Sequence, residues 1–204
     1  MLNIILKTLI MKKIIAIVLL GLTITSQAQI ANSPEEVSPL LIGEKIPNTT
    51  LSNVAGEKID SDKILSKKTV LIIYRGGWCP YCNNQLSDMQ EIESDILALN
   101  YQIVAISPDA PSFLKETATK DKLNYNLYSD SEGKFAQALG IAFKAPEKYG
   151  KMLGKYSEDK NPSFLPVPTV YVLNEKQEIE FMYINPNYAT RLKGELLLAV
   201  LKNL

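Results

Sequence analysis

The residues best suited to chemistry in this chain are its only two cysteines, Cys79 and Cys82. Two residues separate them, and they lie between an apolar run typical of a buried strand and a stretch with helical periodicity. This spacing predicts that Cys79 lies at the N-terminus of a helix whose first residue is Pro80. Free N–H groups and the positive end of the helix dipole favour a thiolate there, and the thiolate is the reactive form of cysteine.

Several other interpretations of the two cysteines are weaker. A metal site needs three or four protein ligands, and the chain has no histidine and no third cysteine. A purely structural disulfide that closes so short a loop would add only about 2 kcal/mol to stability. The pattern therefore favours a redox-active Cys79–Cys82 disulfide over an inert disulfide, a metal site or two thiols without a role. Cys79, nearer to solvent, is expected to attack and Cys82 to resolve; no metal and no cofactor are predicted.

Composition limits the remaining classes of function. The chain has 204 residues, of which 46% are hydrophobic, as expected for one globular domain. Its 22 basic residues balance 22 acidic residues without forming a basic patch, so no nucleic-acid partner is predicted. The absence of histidine excludes Ser-His-Asp and Cys-His catalysis.

The N-terminus has the pattern of an export signal. Two lysines precede an apolar run at 14–24, and small residues surround the end of the predicted signal peptide, residues 1–28. The apolar run is shorter than the roughly 20 residues that span a bilayer, so cleavage is expected. The mature protein is then predicted to be periplasmic or secreted and not membrane-bound, with a flexible leader at 29–40 before a domain at 41–204.

Strands and helices are predicted to alternate along this domain. The predicted strands are a short hairpin within 46–65 and the segments 70–74, 102–107, 126–128, 169–173 and 178–184. The predicted helices are 80–100, 111–122, 135–139 and 189–201. A long polar loop is predicted at 144–166, and loops of that length often act as lids or binding elements. The alternation predicts an α/β fold with a central mixed sheet flanked by helices and an N-terminal β-hairpin extension.

These segments resemble the thioredoxin-like superfamily, and specifically its AhpC/TSA (peroxiredoxin-like) branch. The likeness rests on three stretches that follow or precede predicted strands: Trp78-Cys79-Pro80-Tyr81-Cys82, Ser107-Pro108-Asp109 and Val167-Pro168-Thr169. It covers about residues 41–204 and implies a thioredoxin fold with the two cysteines as the active centre.

The resemblance also implies roles for neighbouring residues. Trp78 is expected to cover the site. A cis Pro168 is expected to face the cysteines, with the backbone of Val167 pairing with a substrate peptide and Thr169 in the strand that follows. The alternative is a proline that simply starts a strand. The role of Arg75 stays open between a cation that stabilises the thiolate and a solvated charge at the end of a strand.

The chain departs from both parent patterns. Peroxiredoxins carry Thr or Ser three residues before the peroxidatic cysteine and Arg just before the late strand, where this chain has Gly76 and Val167. Thioredoxins carry a buried Asp six residues before the first cysteine, where this chain has Ile73. Asp109 and Lys144 are candidate proton relays, with a surface charge as the alternative for each.

The sequence therefore predicts an exported thiol-disulfide oxidoreductase with a role in antioxidant defence or cell redox homeostasis. Its partners would be protein or small-molecule disulfides or peroxides, together with a thiol reductant that is either thioredoxin-like or a membrane thiol reductase. One alternative is a thiol-dependent, peroxiredoxin-like peroxidase in which Cys79 is peroxidatic and Cys82 resolving. Another is a redox-inactive binding module that uses the loop at 144–166.

Overall fold

The strand that leads to the cysteines is the centre of the fold. In this computed structural model, which describes residues 30–161 and 163–204, the strand Thr69–Ile73 is buried along its whole length. Its continuous apolar run matches a strand covered on both faces. The predicted signal peptide, residues 1–28, lies outside the described residues.

The regular elements alternate along the chain, as the sequence predicts. The strands are β1 (Thr50–Ser52), β2 (Lys58–Asp60), β3 (Thr69–Ile73), β4 (Gln102–Ser107), β5 (Asn126–Ser129), β6 (Ala142–Lys144), β7 (Phe164–Pro166), β8 (Thr169–Leu173) and β9 (Ile179–Ile184). The α-helices are α1 (Ser61–Ile64), α2 (Pro80–Glu91), α3 (Glu93–Ala98), α4 (Pro111–Lys120), α5 (Lys134–Ala138), α6 (Gly150–Ser157) and α7 (Gly194–Leu201). Short 3₁₀ helices cover Pro34–Glu36 and Glu147–Tyr149.

Seven strands form one mixed sheet in the order β2-β1-β5-β4-β3-β8-β9. Strand β3 pairs in parallel with β4 and antiparallel with β8, and the N-terminal hairpin β1–β2 extends one edge. Strands β6 and β7 form a separate two-stranded sheet. The predicted mixed sheet with an N-terminal hairpin is confirmed.

Apolar side chains cover both faces of the sheet, because alternate residues of β3 point in opposite directions. Val70 and Ile72 pack against helices α2, α3, α4 and α7 in a core that also contains both cysteines. Leu71 and Ile73 face the opposite core, which includes side chains of α5. The cysteines thus lie at the edge of the larger core rather than on an outer surface. Within the described ranges, no helix is long and apolar enough to cross a membrane.

The predicted flexible leader packs against the domain, which corrects that prediction for residues 30–40. The backbone of Ala31 donates to Ala142 O at 3.0 Å and accepts from Lys144 N at 2.8 Å. Ser38 N donates to Gly140 O at 3.0 Å. A polar composition predicts solvent exposure, but these main-chain bonds hold the segment, and four scattered apolar side chains pack against the cores of the domain: Ile30, Ala31, Val37 and Leu40.

The predicted structureless loop at 144–166 is also wrong. It contains the 3₁₀ helix Glu147–Tyr149, the helix α6 and the strand β7. Gly150 and Gly154 lower the helix propensity of α6, so the local pattern conceals it. The helix instead forms because Leu153 is buried in a small cluster with Phe143, Leu165 and Val167.

Two predicted helices have different bounds. The predicted helix at 80–100 is interrupted at Ile92, whose φ of −105° and ψ of 9° are not helical, and becomes α2 and α3. The final helix begins at Gly194 rather than near residue 189. The segment before it is irregular and places Arg191 beside α2, where its side chain contacts Cys82 and Gln85.

Candidate active site

Cys79 lies at the N-terminus of α2 as the sequence predicts. It is the N-cap residue, Pro80 is the first helical residue, and the Cys79 carbonyl accepts from the N–H groups of Cys82 and Asn83 at 3.0 and 3.1 Å. Both cysteines are free thiols in this structure. Their exposures are 1% and 0%, so Cys79 is barely nearer to solvent than Cys82.

The pKa values of the two thiols are shifted in opposite directions. A hydrogen bond from the Cys82 side chain is the main cause that lowers the pKa of Cys79 to about 6, helped by the Cys82 N–H and by the charges of Arg75 and Arg191 against the effect of burial. Burial, followed by the hydrogen bond to Cys79, raises the pKa of Cys82 well above its usual value. Near neutral pH the pair therefore holds an anion on Cys79 and a proton on Cys82.

The rate of alkylation at different pH values should show directly that Cys79 is ionised and Cys82 is protonated. We expect iodoacetamide to react with Cys79 along a titration curve centred near pH 6. Cys82→Ala removes the main hydrogen-bond donor, so the curve should move to higher pH and the rate at pH 6 should fall about fivefold. Mass spectrometry of the alkylated peptide gives the rate, and Cys79→Ser is the control for reaction at Cys82. An unchanged curve in Cys82→Ala would show that another group stabilises the anion.

Arg191 contacts the second cysteine, and sequence reasoning missed it. Its Nη2 donates to Cys82 Sγ at 3.3 Å, its Nη1 to Gln85 Oε1 at 2.9 Å and its Nε to Tyr188 O at 2.7 Å. Arg191 follows Cys82 by more than a hundred residues in no recognisable motif, so no local signal could have revealed the contact. The guanidinium is placed to stabilise the Cys82 thiolate when its proton leaves.

Loss of this contact should slow the reaction of Cys82. In the reduced protein, dithiodipyridine should form a mixed disulfide with Cys79, and Cys82 should then displace the second thiopyridone. We expect Arg191→Ala to slow this second phase about 10- to 100-fold, because a hydrogen bond to a charged group contributes about 1.5–3 kcal/mol. Stopped-flow absorbance separates the phases, and Lys193→Gln removes an exposed charge nearby as the control. Equal second phases would exclude a role for Arg191 at Cys82.

Asp109 lies beneath the loop that carries Cys79 and is not a surface charge. It is 1% exposed, and its Oδ2 accepts from Gly77 N at 2.7 Å. A Cβ at Gly76, whose φ is +142°, would lie 2.6 Å from Asp109 Oδ1 and would collide with Trp78 Nε1. Gly76 therefore allows the carboxyl and the indole to approach the loop closely. Burial raises the pKa of Asp109 to about 7 and outweighs the hydrogen bonds with Gly77 and Ser107, which lower it.

Arg75 is buried, which decides between its two predicted roles. It is 3% exposed, and its Cζ lies 5.1 Å from the ring centroid of Trp78 and 4.2 Å from that of Tyr188. Its charge contributes to the lowered pKa of Cys79. Trp78 is half-buried and packs on Tyr149 with ring centroids 5.8 Å apart, while its covering of the site stays a prediction.

The predictions for the segment before β8 need correction. No peptide bond in the described part of the chain is cis, so Pro168 is trans. The Val167 N–H donates to Ile141 O at 2.9 Å, and the Val167 carbonyl accepts from Thr169 Oγ1 at 2.9 Å. Because the Val167 N–H already donates to Ile141, Val167 cannot make the predicted pair of backbone hydrogen bonds with a substrate peptide.

The side chain of the other candidate relay, Lys144, is bonded to the N-terminal segment. It is exposed on β6, and its Nζ donates to Asn32 Oδ1 at 2.8 Å. Among residues 30–161 and 163–204, no group of three or more His, Cys, Asp or Glu side chains could hold a metal ion.

Comparison with known proteins gives this geometry its context. The sequence profile of the AhpC/TSA family matches residues 42–182, which is most of the chain. The chain belongs to the AhpC/TSA family. It is therefore a thiol-based oxidoreductase, and the resemblance drawn from the residues around Cys79 is confirmed.

Individual relatives of this AhpC/TSA protein are named as peroxiredoxins. A putative peroxiredoxin bcp of Haemophilus influenzae is 29% identical over 105 residues, which are 52% of this chain and 68% of the relative. Peroxiredoxin Bcp of Bacillus subtilis is 27% identical over 110 residues, 54% of this chain and 69% of the relative.

Solved structures show the same fold. Reduced Prx3 of Vibrio vulnificus, in complex with hydrogen peroxide, superposes with a TM-score of 0.69 at 16% identity, over 79% of this chain and 99% of that one. Peroxidoxin BcpB of Mycobacterium tuberculosis gives a TM-score of 0.63 at 17% identity, over 79% and 96%.

Proposed function

We propose that this protein is a thiol peroxidase in which Cys79 is the peroxidatic residue and Cys82 the resolving residue. The observation that carries the proposal is a Cys79 thiolate that is only 1% exposed. A small peroxide needs little more than the sulfur itself, whereas a protein disulfide must bring a peptide segment to it. The peroxiredoxin relatives support the same choice. Disulfide exchange, which the sequence favoured first, becomes the second candidate function.

The proposed reaction starts with attack of the Cys79 thiolate on one oxygen of the peroxide. The O–O bond breaks, Cys79 becomes a sulfenic acid, and the departing oxygen leaves as water or an alcohol after taking a proton. Cys82 then attacks the sulfenic sulfur, forms the Cys79–Cys82 disulfide and releases water. Arg75 and Arg191 supply the positive charge that favours each thiolate before it attacks.

A thiol reductant completes the cycle. Two thiols of a thioredoxin-like protein or a membrane thiol reductase would reduce the Cys79–Cys82 disulfide and become a disulfide themselves. The partners in this proposal are therefore a peroxide and such a reductant.

Competition between oxidants tests the proposal. We expect the reduced protein to be oxidised by hydrogen peroxide or cumene hydroperoxide at least about tenfold faster than by a disulfide-bonded protein such as insulin at equal concentration. Stopped-flow fluorescence of Trp78, the only tryptophan, reports the oxidation. Faster reaction with the protein disulfide would restore disulfide exchange as the function. If the dithiol reacts with neither a peroxide nor a protein disulfide, the redox-inactive binding module would be the remaining function.

We also propose that the protein is exported to the periplasm or secreted. The support is the lysine pair followed by an apolar run at 14–24 and small residues near Ala28. N-terminal sequencing of the protein from the fractionated host cell tests this. Cleavage near Ala28 in the exported fraction is expected, and an intact N-terminus in the cytosol would contradict it.

A further inference from the structure

A small cavity lies next to Arg75, and the proposed peroxidase reaction does not use it. Its volume is about 220 Å³, and it lies between the N-terminal segment, the β6–β7 insertion and the segment before α7. Its lining is mostly proline, aliphatic and aromatic, and includes Arg75, Phe143, Tyr149, Leu165, Pro168 and Tyr188. Cys79 does not line it.

Arg75 reaches this cavity as a buried cation whose charge acts on the Cys79 thiolate but which has no carboxylate partner among the described residues. Its guanidinium lies over the rings of Tyr188 and Tyr149, at 4.2 and 5.1 Å from their centroids. Its Nε is buried without a hydrogen-bond acceptor among the described residues. The ion pairs between described residues all involve other side chains.

The rest of the chain cannot supply the missing carboxylate side chain. Residues 1–29 contain no Asp or Glu, and residue 162 is proline. Buried charges in proteins are normally paired, and aromatic rings compensate only part of the lost hydration. Lys148 adds a second positive charge to the lining, and no acidic residue lines the cavity.

We propose that this cavity is a binding site for a compact organic carboxylate. The planar guanidinium of Arg75 can donate two parallel hydrogen bonds to a carboxylate. The apolar body of the ligand would then lie between the rings of Tyr149 and Tyr188 and the side chains of Phe143 and Leu165. The volume is below the range of about 300–1,000 Å³ typical for drug-sized ligands, so the ligand is small.

Such a ligand would act on the active site through charge. Arg75 is one of the groups that stabilise the Cys79 thiolate, together with Cys82 and Arg191, while the buried Asp109 opposes it. A carboxylate on Arg75 would offset its positive charge and shift Cys79 towards the thiol. The ligand is thus a modulator of thiol reactivity rather than the peroxide itself.

Binding can be measured on the reduced wild-type protein without any peroxide. The probe is cyclohexanecarboxylate, and its matched control is cyclohexanecarboxamide, which has nearly the same shape without the charge. The ring centroid of Trp78 lies 5.1 Å from Arg75 Cζ, so the fluorescence of Trp78 should change and then saturate as the carboxylate concentration rises. We expect the amide to bind at least about tenfold more weakly. Equal titrations, or none with the carboxylate, would overturn the proposal.

Variants separate the site from a general charge effect. Arg75→Met should abolish carboxylate binding, whereas Lys155→Gln, which removes an exposed charge outside the cavity, should leave it unchanged. Circular dichroism checks the folding of Arg75→Met, and the comparison of carboxylate with amide does not depend on it. Cys79→Ser should still bind, so failure of the peroxidase proposal and failure of this one are distinguishable.

Alkylation provides the second readout. Saturating cyclohexanecarboxylate should lower the rate of iodoacetamide reaction with Cys79 at pH 6 about twofold, because the thiolate fraction falls. The amide at the same concentration should leave the rate unchanged. An unchanged rate under saturating carboxylate would overturn the link between the cavity and Cys79.

Discussion

Replacing Cys79 with serine should reduce peroxide consumption to the uncatalysed background. The hydroxyl of serine is far less acidic than a thiol and cannot accept the oxygen as a sulfenic acid. The remaining thiol, Cys82, is fully buried, and burial raises its pKa, so it stays protonated and should not replace Cys79. The measurement is the loss of hydrogen peroxide in the presence of a small thiol reductant. Residual catalysis within an order of magnitude of the wild-type rate would place the reacting sulfur elsewhere.

Cys82→Ser is the matched variant and should behave differently. Its hydroxyl can still donate a hydrogen bond towards Cys79, so the first turnover with peroxide should proceed. The sulfenic acid at Cys79 should then persist and be captured by dimedone, with the corresponding mass on the Cys79 peptide. No dimedone adduct on Cys79 in any condition would contradict a sulfenic acid that waits for Cys82 to resolve it.

Stability should rise on acidification in the range where Asp109 titrates. Burial raises the pKa of Asp109 from 3.8 to about 7. Between these values the folded protein binds a proton that the unfolded chain does not, so the free energy of unfolding increases as pH falls from about 7 towards 4. Above pH 7 the buried carboxylate is ionised and destabilising by at most about 4 kcal/mol.

Asp109→Asn isolates this contribution. The amide oxygen can still accept from Gly77 N, and the side chain carries no charge at any pH. We expect the variant to be more stable than the wild type at pH 8, by up to about 4 kcal/mol, and similar to it near pH 4. Urea unfolding followed by circular dichroism gives both values.

Two other carboxyls serve as references for this experiment. Asp130 is buried too, and burial raises its pKa to about 7, but it is present in both proteins and cancels in the difference. Asp95→Asn makes the same substitution at an exposed carboxyl and is the matched control variant. A difference between wild type and Asp109→Asn that stays constant from pH 4 to 8 would show that Asp109 is not titrating in this range.

The local patterns predicted much of the fold. The strands β3, β4 and β8 are mostly apolar runs and β9 is rich in apolar residues, and the structure has each within a residue or two of its predicted bounds. Pro80 after Cys79 identified the start of α2. Patterns of this kind work because side chains alternate along strands and recur along helices, so burial leaves a period in the sequence.

Elements without such a period were missed. Helix α6 contains two glycines and forms because Leu153 meets β6 and β7, which lie on either side of it in sequence. The segment at 30–40 is held by main-chain hydrogen bonds, which any residue can make, and by a few apolar side chains with no helical or strand period. Pro168 is trans, as most X–Pro bonds are, and its neighbour Val167 donates to Ile141 O. The expectation of a cis bond came from the resemblance to a family and not from a local pattern.

By itself the sequence determined that Cys79 and Cys82 lie at the start of a helix, because their spacing and the flanking strand and helix are local features. That the two thiols form a redox pair is the prediction drawn from this placement. Only the tertiary structure decided which groups surround the pair. Arg191 reaches Cys82 from the far end of the chain, Asp109 lies beneath Gly77 from the neighbouring strand, and Arg75 is enclosed by aromatic rings. Contacts between distant segments depend on how the whole sheet and its helices pack, and no periodicity in a single segment records them.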